Sequence, residues 1–210
     1  MTAYASRIWH GKVGMAENIA VSPRLATITA DDDSLLAAIA AGDAAAFSEL
    51  MKRHGDRAFS LAFRITGRRG DAEDVVQDAF IQVWTRARDW QSGRAKFSTW
   101  LYRVIVNRCL DLKRKPVSAN IDAVEEPIDP TADALTVMER VEQQEALAKA
   151  VAGLPERQRA AIALTYTTGL KNAAAAAVME MSVKAFEALL VRAKRSLRAQ
   201  LAGEEVAADD

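Results

Sequence analysis

Residues 71–84 read Asp-Ala-Glu-Asp-Val-Val-Gln-Asp-Ala-Phe-Ile-Gln-Val-Trp. Val75, Val76, Ala79, Phe80, Val83 and Trp84 recur at three- and four-residue steps, the apolar stripe of an α-helix that opens at Asp71. Its other side carries Asp71, Glu73, Asp74 and Asp78, with no base before Trp84. Acids suit a first helical turn, where the backbone dipole leaves partial positive charge. Gln77 and Asp78 lie beyond that reach. An acidic outer face fits the basic surface of a protein partner and sits badly on nucleic acid.

Outward from this helix the same period continues. On the N-terminal side, Ser34 to Ala41 reads as a short helix ended by Gly42, and Phe47, Leu50, Met51, Ala58, Ala62 and Ile65 mark a longer one stopped by Gly67. On the C-terminal side, Trp90-Gln91-Ser92-Gly93 is a loop. Ser98 to Lys115 is a helix with Leu101, Ile105, Cys109 and Leu112 inward, stopped by Pro116. The composition then changes. Pro116, Pro127 and Pro130 punctuate a stretch in which five acids and no base lie between Asp122 and Asp133, which is the make-up of a linker. Further helices are expected at Glu142 to Ala152, Pro155 to Thr168, Ala173 to Met179 and Val183 to Leu201. Asn172 and Ser182 are expected as N-caps. Alanine is a fifth of the chain, proline is scarce, and no strand pattern occurs. The expectation is an all-α fold of two small helical domains, 31–115 and 140–202, joined by a flexible acidic linker at 116–139. A disordered leader at 1–30, with Met15 as an alternative start, and an acidic tail at 203–210 flank them.

Composition excludes several functions. One cysteine and two distant histidines offer neither an intrachain disulfide nor a Cys/His metal module. There are no paired carboxylates, Cys/His pair or phosphate-cradling glycine loop to support an enzyme, so no catalytic residue, metal or cofactor is expected. Cys109 reads as a buried helix residue. No apolar run is long enough to span a bilayer, and the leader lacks the apolar core of a secretory signal, so a cytoplasmic protein is expected.

Lys plus Arg and Asp plus Glu balance at 28 each, but the charges are segregated. Arg103, Arg108, Lys113, Arg114 and Lys115 stand against Asp111 alone, and Arg103, Asn107 and Arg114 lie away from the apolar face. Lys184, Arg192, Lys194, Arg195 and Arg198 stand against Glu187 alone, outside a seam of Val183, Phe186, Leu190, Ala193 and Leu197. Either face can neutralise phosphates. The second follows a short helix and a turn, the spacing of a helix-turn-helix with its basic helix in the recognition position. Trp90, Phe97, Trp100 and Tyr102, beside Arg94 and Lys96, can take up unstacked bases, although Phe97 and Trp100 also suit a core.

Three segments resemble the extracytoplasmic-function (ECF) class of bacterial sigma-70 family sigma factors. Asp71 to Phe80 with Val83-Trp84 is similar to the helix that binds core RNA polymerase. Phe97-Ser98-Thr99-Trp100-Leu101-Tyr102-Arg103 with Val106-Asn107-Arg108 is similar to the segment that melts and reads the −10 element. Leu154 to Arg159 with Gly169-Leu170 and Ser182-Val183 is similar to the domain that binds the −35 element. The resemblance implies a non-catalytic initiation subunit that directs promoter-specific transcription, with core polymerase (beta and beta-prime subunits), promoter DNA and an anti-sigma factor as partners. It implies polymerase contacts at Asp71, Glu73, Asp74, Gln77, Asp78, Phe80 and Trp84. It places −10 contacts at Trp90, Arg94, Lys96, Phe97, Trp100, Tyr102, Arg103, Asn107, Arg108 and Arg114. Its −35 contacts fall at Lys184, Glu187, Ala188, Val191, Arg192, Lys194 and Arg195. Two departures stand out: Ala173 to Ala177 where the family often has polar and acidic residues, and Glu187 where a base often begins the recognition face. A glutamate can accept from cytosine N4 but cannot pair with phosphate. The linker passes a length check. Pro116 to Thr136 reaches roughly 70 Å extended, against roughly 58 Å of duplex between elements about 17 base pairs apart. The competing reading is a dimeric helix-turn-helix regulator without polymerase contact, which leaves the Asp71 helix and the Trp90 to Tyr102 cluster unexplained.

Overall fold

The computed structural model describes residues 30–112 and 134–208, and side chains at 30–112 and 143–202. The leader through residue 29, the linker as far as 133, Arg114, and the side chains of the acidic tail lie outside the described residues. The helices, in chain order, are α1 (Asp32–Ala40), α2 (Ala44–Thr66), α3 (Arg69–Arg86), α4 (Phe97–Asp111), α5 (Ala134–Ala152), α6 (Glu156–Tyr166), α7 (Asn172–Val178) and α8 (Val183–Ala208), with a short 3₁₀ turn at Ala87–Asp89.

Local chemistry sets most boundaries. Asp31 caps α1 by accepting from the Ser34 N–H at 2.8 Å, and Asp43 caps α2 by accepting from Ala45 and Ala46. Such caps contribute about 1 kcal/mol each. Gly67 ends α2 at φ 68, where its N–H reaches the Phe63 carbonyl. Pro155 stands as N-cap of α6, and Ser182 Oγ accepts from the Ala185 N–H at 3.2 Å to open α8.

Several expected boundaries differ. α4 ends at Asp111, where Leu112 turns extended, rather than running to Lys115. α3 begins at Arg69, two residues before Asp71, and has no side-chain cap. α5 begins at Ala134, inside the stretch read as linker, because Ala134, Leu135, Met138, Glu139 and Arg140 are strong helix formers with no breaker after Pro130. α8 runs through Ala208 rather than stopping at Leu201; Gly203 lowers helix propensity without ending it. Asn172 is the first helical residue of α7, not its cap. Its amide donates instead to Glu187 Oε1 at 3.1 Å.

α2 is the hub of the first unit, against which α1, α3 and α4 pack. Leu35, Leu36, Leu50, Leu61, Val75, Val83, Leu101 and Ile105 are almost wholly shielded from water there. Burying each such side chain is worth roughly 1.5–3 kcal/mol. In the second unit α5, α6 and α7 pack on α8 or on one another around Leu164, Val178 and Phe186. The two units do not stand apart. α6 lies on α2 and α7 lies on α4, so both units contribute to one continuous apolar cluster. Ala160, Ala161, Ala163, Ala175 and Ala176 are all buried. Their small side chains let helix axes approach closely.

Candidate functional site

The outer face of α3 combines carboxylates with apolar side chains. Asp74 is exposed. Asp71 lies 3.6 Å from Arg68, Glu73 accepts from Arg69 at 3.0 Å, and Asp78 Oδ2 accepts from Arg108 Nε at 3.0 Å. Gln77 is half-buried. Trp84 is 41% exposed, its ring held edge-on against Phe47 with centroids 5.2 Å apart. Phe80 corrects the sequence expectation: at 3% exposure it is core, T-stacked on Phe47, and presents no surface to a partner. Sequence reasoning missed Ile81, which is 48% exposed. The signal was available, because Asp74, Gln77, Ile81 and Trp84 follow one another at three- and four-residue steps along one helix face. The face is therefore an apolar pair, Ile81 and Trp84, with acids on its N-terminal side and the exposed Arg86 and Arg88 beyond it.

The aromatic cluster sits where the loop before α4 meets α1 and α2. Gly93 turns that loop at φ 78, a backbone conformation that disfavours residues carrying a Cβ. Trp90 donates its indole N–H to Asp33 Oδ1 at 2.8 Å. Its ring lies 6.0 Å from Phe97 and 6.1 Å from Trp100, and Phe97 also packs on His54 at 5.0 Å. Trp90 and Trp100 stay half-exposed, and Arg94 and Lys96 are exposed. Phe97 and Tyr102 are corrections: at 2% and 3% exposure both belong to the core and hold the shape from behind. Burial pushes the Tyr102 phenol above its ordinary range.

Beside the cluster an open recess of about 520 Å³ is lined by Asp31, Asp32, Asp33, Gly93, Ala95, Lys96, Phe97 and Ser98. The Ser34 side chain and then its backbone N–H hold the Asp31 carboxyl below its usual value. Three aspartates on one wall repel phosphate, while carboxylates accept from the amino groups of a base. This acidic wall was not anticipated from the sequence. Along α4, Asn107 and Arg108 are exposed, and Arg108 is paired with Asp78. Arg103, 40% exposed at its side chain, faces the second unit.

α7, the turn at 179–182 and α8 form the helix-turn-helix. Lys184, Glu187, Ala188, Val191, Arg192 and Arg195 are all exposed on α8, while Phe186, Leu190 and Ala193 are buried behind them. Lys194 is half-buried, with its ammonium 5.6 Å from the Tyr166 ring centroid. Tyr166 itself is 63% exposed at the last residue of α6. Cys109 is buried in the first unit, which pushes its thiol up to about 12 and leaves it an unreactive thiol at neutral pH.

Comparison with known proteins places these features. The Sigma-70 region 2 profile matches residues 50–117 and the Sigma-70, region 4 profile matches residues 144–197. The chain is 32% identical over 177 residues to the ECF RNA polymerase sigma-E factor of Escherichia coli K12, covering 79% of this chain and 92% of that protein. It is 31% identical over 170 residues to the ECF RNA polymerase sigma factor SigE of Mycolicibacterium smegmatis, covering 78% of this chain and 65% of that longer relative. Among solved structures it is similar to CnrH in complex with the cytosolic domain of CnrY, at a TM-score of 0.61 and 29% identity, covering 82% of this chain and 97% of that one.

Proposed function

The chain belongs to the ECF class of sigma-70 family RNA polymerase sigma factors, and from that premise we propose how its surfaces divide the work of promoter-specific initiation. Residues 31–115 dock on core polymerase and open the −10 element, the helices from Ala134 onward hold the −35 element, and the stretch between Pro116 and Ala134 tethers the two. It is a non-catalytic subunit; the polymerase supplies the chemistry. α3 docks on the clamp through Ile81 and Trp84, with Asp71, Glu73, Asp74, Gln77 and Asp78 around them. A base flipped from the −10 strand enters the recess beside Trp90, Lys96 and Trp100, and Arg94, Arg103, Asn107, Arg108 and Arg114 follow the strand's phosphates. Lys184, Glu187, Ala188, Val191, Arg192, Lys194 and Arg195 face the −35 major groove. An anti-sigma protein holds the factor inactive until it is needed. No helix among the described residues is long and apolar enough to cross a membrane, in keeping with work in the cytoplasm.

The observation that carries this division is the exposed Ile81–Trp84 pair beside the acids of α3, a face that the reading as a DNA-binding regulator leaves unexplained. In-vitro transcription with purified bacterial core polymerase and a genomic promoter library tests it. Transcripts from discrete start sites that vanish without this chain are the expected result. Sequence-specific duplex binding by the chain alone, without such transcripts, would favour the dimeric regulator instead. On the −35 duplex, Arg192→Ala is expected to weaken binding by about 1–3 kcal/mol. Titration of a fluorescent duplex checks it, and an unchanged constant would put the recognition face elsewhere on α8.

A further inference from the structure

Glu187 is the single acid on α8 between Val183 and Leu201, and it is exposed beside the exposed cations Lys184, Arg192 and Arg195. Lys184 stands one helical turn before it, within ordinary side-chain reach. Among the described residues, however, Glu187 makes no ion pair. Its Oε1 accepts from the side-chain amide of Asn172 at 3.1 Å, across 15 residues of chain. An ionised carboxylate only accepts, so the amide nitrogen is the atom that faces it. The amide is neutral, so the carboxylate keeps a charge that a lysine or arginine partner would have offset.

The hold stands on a fixed base. Asn172 is the first residue of α7 and half-buried. Behind it α7 and α8 pack through Ala175, Ala176, Val178 and Phe186, all fully buried. A glutamate tied down at one oxygen has lost its rotamer freedom before a ligand arrives, so binding costs it less. Side chains locked in this way by a neighbour's hydrogen bond present their remaining atoms at a defined place. Ala188 and Val191, exposed next to Glu187 on the same helix, supply no donor to its second oxygen.

We infer that Asn172 and Glu187 act as a unit that reads one cytosine of the −35 element: Glu187 Oε2 accepts from the cytosine N4 amino group, and Asn172 is the positioning residue that aims it. The inference rests on the reading of α8 as the −35 helix given above. Charge narrows the choice of base. Phosphates repel a carboxylate, so within the groove it is stable only over a donor on a base edge. The major groove shows two such donors, cytosine N4 and adenine N6. Adenine sets its N7 acceptor beside N6, an arrangement that suits an amide and repels a carboxylate. Thymine carries its O4 acceptor at the ring position where cytosine carries N4, so exchanging one for the other turns the contact repulsive.

Transcription by core polymerase and the full chain, from a barcoded promoter library randomised in the −35 element, tests the pair. With the parent chain, one −35 position should favour C·G over T·A by about tenfold, the scale of one mismatched base pair. Glu187→Gln keeps the shape of the side chain and its bond to Asn172, but the group that meets the base becomes a donor. The preference at that position should invert, to T·A over C·G by about threefold. Asn172→Ala should cut the cytosine preference by about threefold, because the carboxylate is no longer aimed, and leave preferences at the other positions as they are. Alanine at 172 extends the run Ala173 to Ala177, and Glu187 is exposed, so both variants should fold, which circular dichroism checks. Promoter-specific transcripts without a cytosine preference, or with one that Glu187→Gln leaves intact, would overturn the inference and leave the functional reading standing. An equal loss at every position with Asn172→Ala would overturn it too, reducing the hydrogen bond to a tie between helices. No promoter-specific transcript from any member of the library with the parent chain would overturn the functional reading, and the cytosine reader with it.

Discussion

Core polymerase is expected to lose at least about 100-fold in affinity for the Asp74→Lys, Asp78→Lys double variant, which corresponds to roughly 2.7 kcal/mol. Two acids become two bases on the face proposed to meet a basic surface, and like charges brought together across an interface cost several kcal/mol. The fold should survive. Asp74 is exposed, and the Asp78–Arg108 pair is 43% and 48% exposed at its side chains. Such surface pairs contribute about 0–1 kcal/mol. Competition binding against labelled parent chain measures the loss, and circular dichroism checks the helices. Ile81→Ala gives a second arm without any change of charge. With half its side chain in water, it should leave stability nearly intact and weaken core binding by about tenfold, the scale of one partly buried aliphatic contact. Full affinity in both variants would move the docking face away from α3.

Phe97→Ala should be among the most damaging single changes, and its damage should be to folding. Removing a fully buried phenylalanine costs about 3–5 kcal/mol. Phe97 is 2% exposed and touches His54, Trp90 and Trp100. For a unit of this size the melting temperature should fall by at least about 10 °C. Phe97→Leu keeps most of the volume, so it should lose under about 1.5 kcal/mol and keep −10 strand affinity within about threefold. Calorimetry and strand titration separate the two effects. A Phe97→Leu protein of full stability that no longer bound the strand would make Phe97 a direct contact after all.

That distinction was not legible in the sequence. Trp90, Phe97, Trp100 and Tyr102 are all aromatic and all lie near bases, so type and spacing rank them alike. What separates them is which side of α4 each faces and what lies behind. Phe97 and Tyr102 point into the core, whereas Trp90 hangs on Asp33, 57 residues away. The acidic wall of the recess escaped for the same reason: Asp31 to Asp33 reach Lys96 only through the packing of α1 against the rest of the unit. α8 was easier. Lys184, Arg192 and Arg195 sit outside a seam of Phe186, Leu190 and Ala193, and helical period alone sorts those two sets.

The sequence by itself determined the helices, the division into two units and the family. Each of those is written locally, in three- and four-residue steps, capping residues and runs of charge. Only the tertiary structure decided that the two units share one apolar cluster, that Asp78 answers Arg108, and that Arg103 rests on the end of α7 beside a strained Glu180. Those contacts join residues 30 and more positions apart. Their strength depends on distance and burial, which no spacing along the chain records.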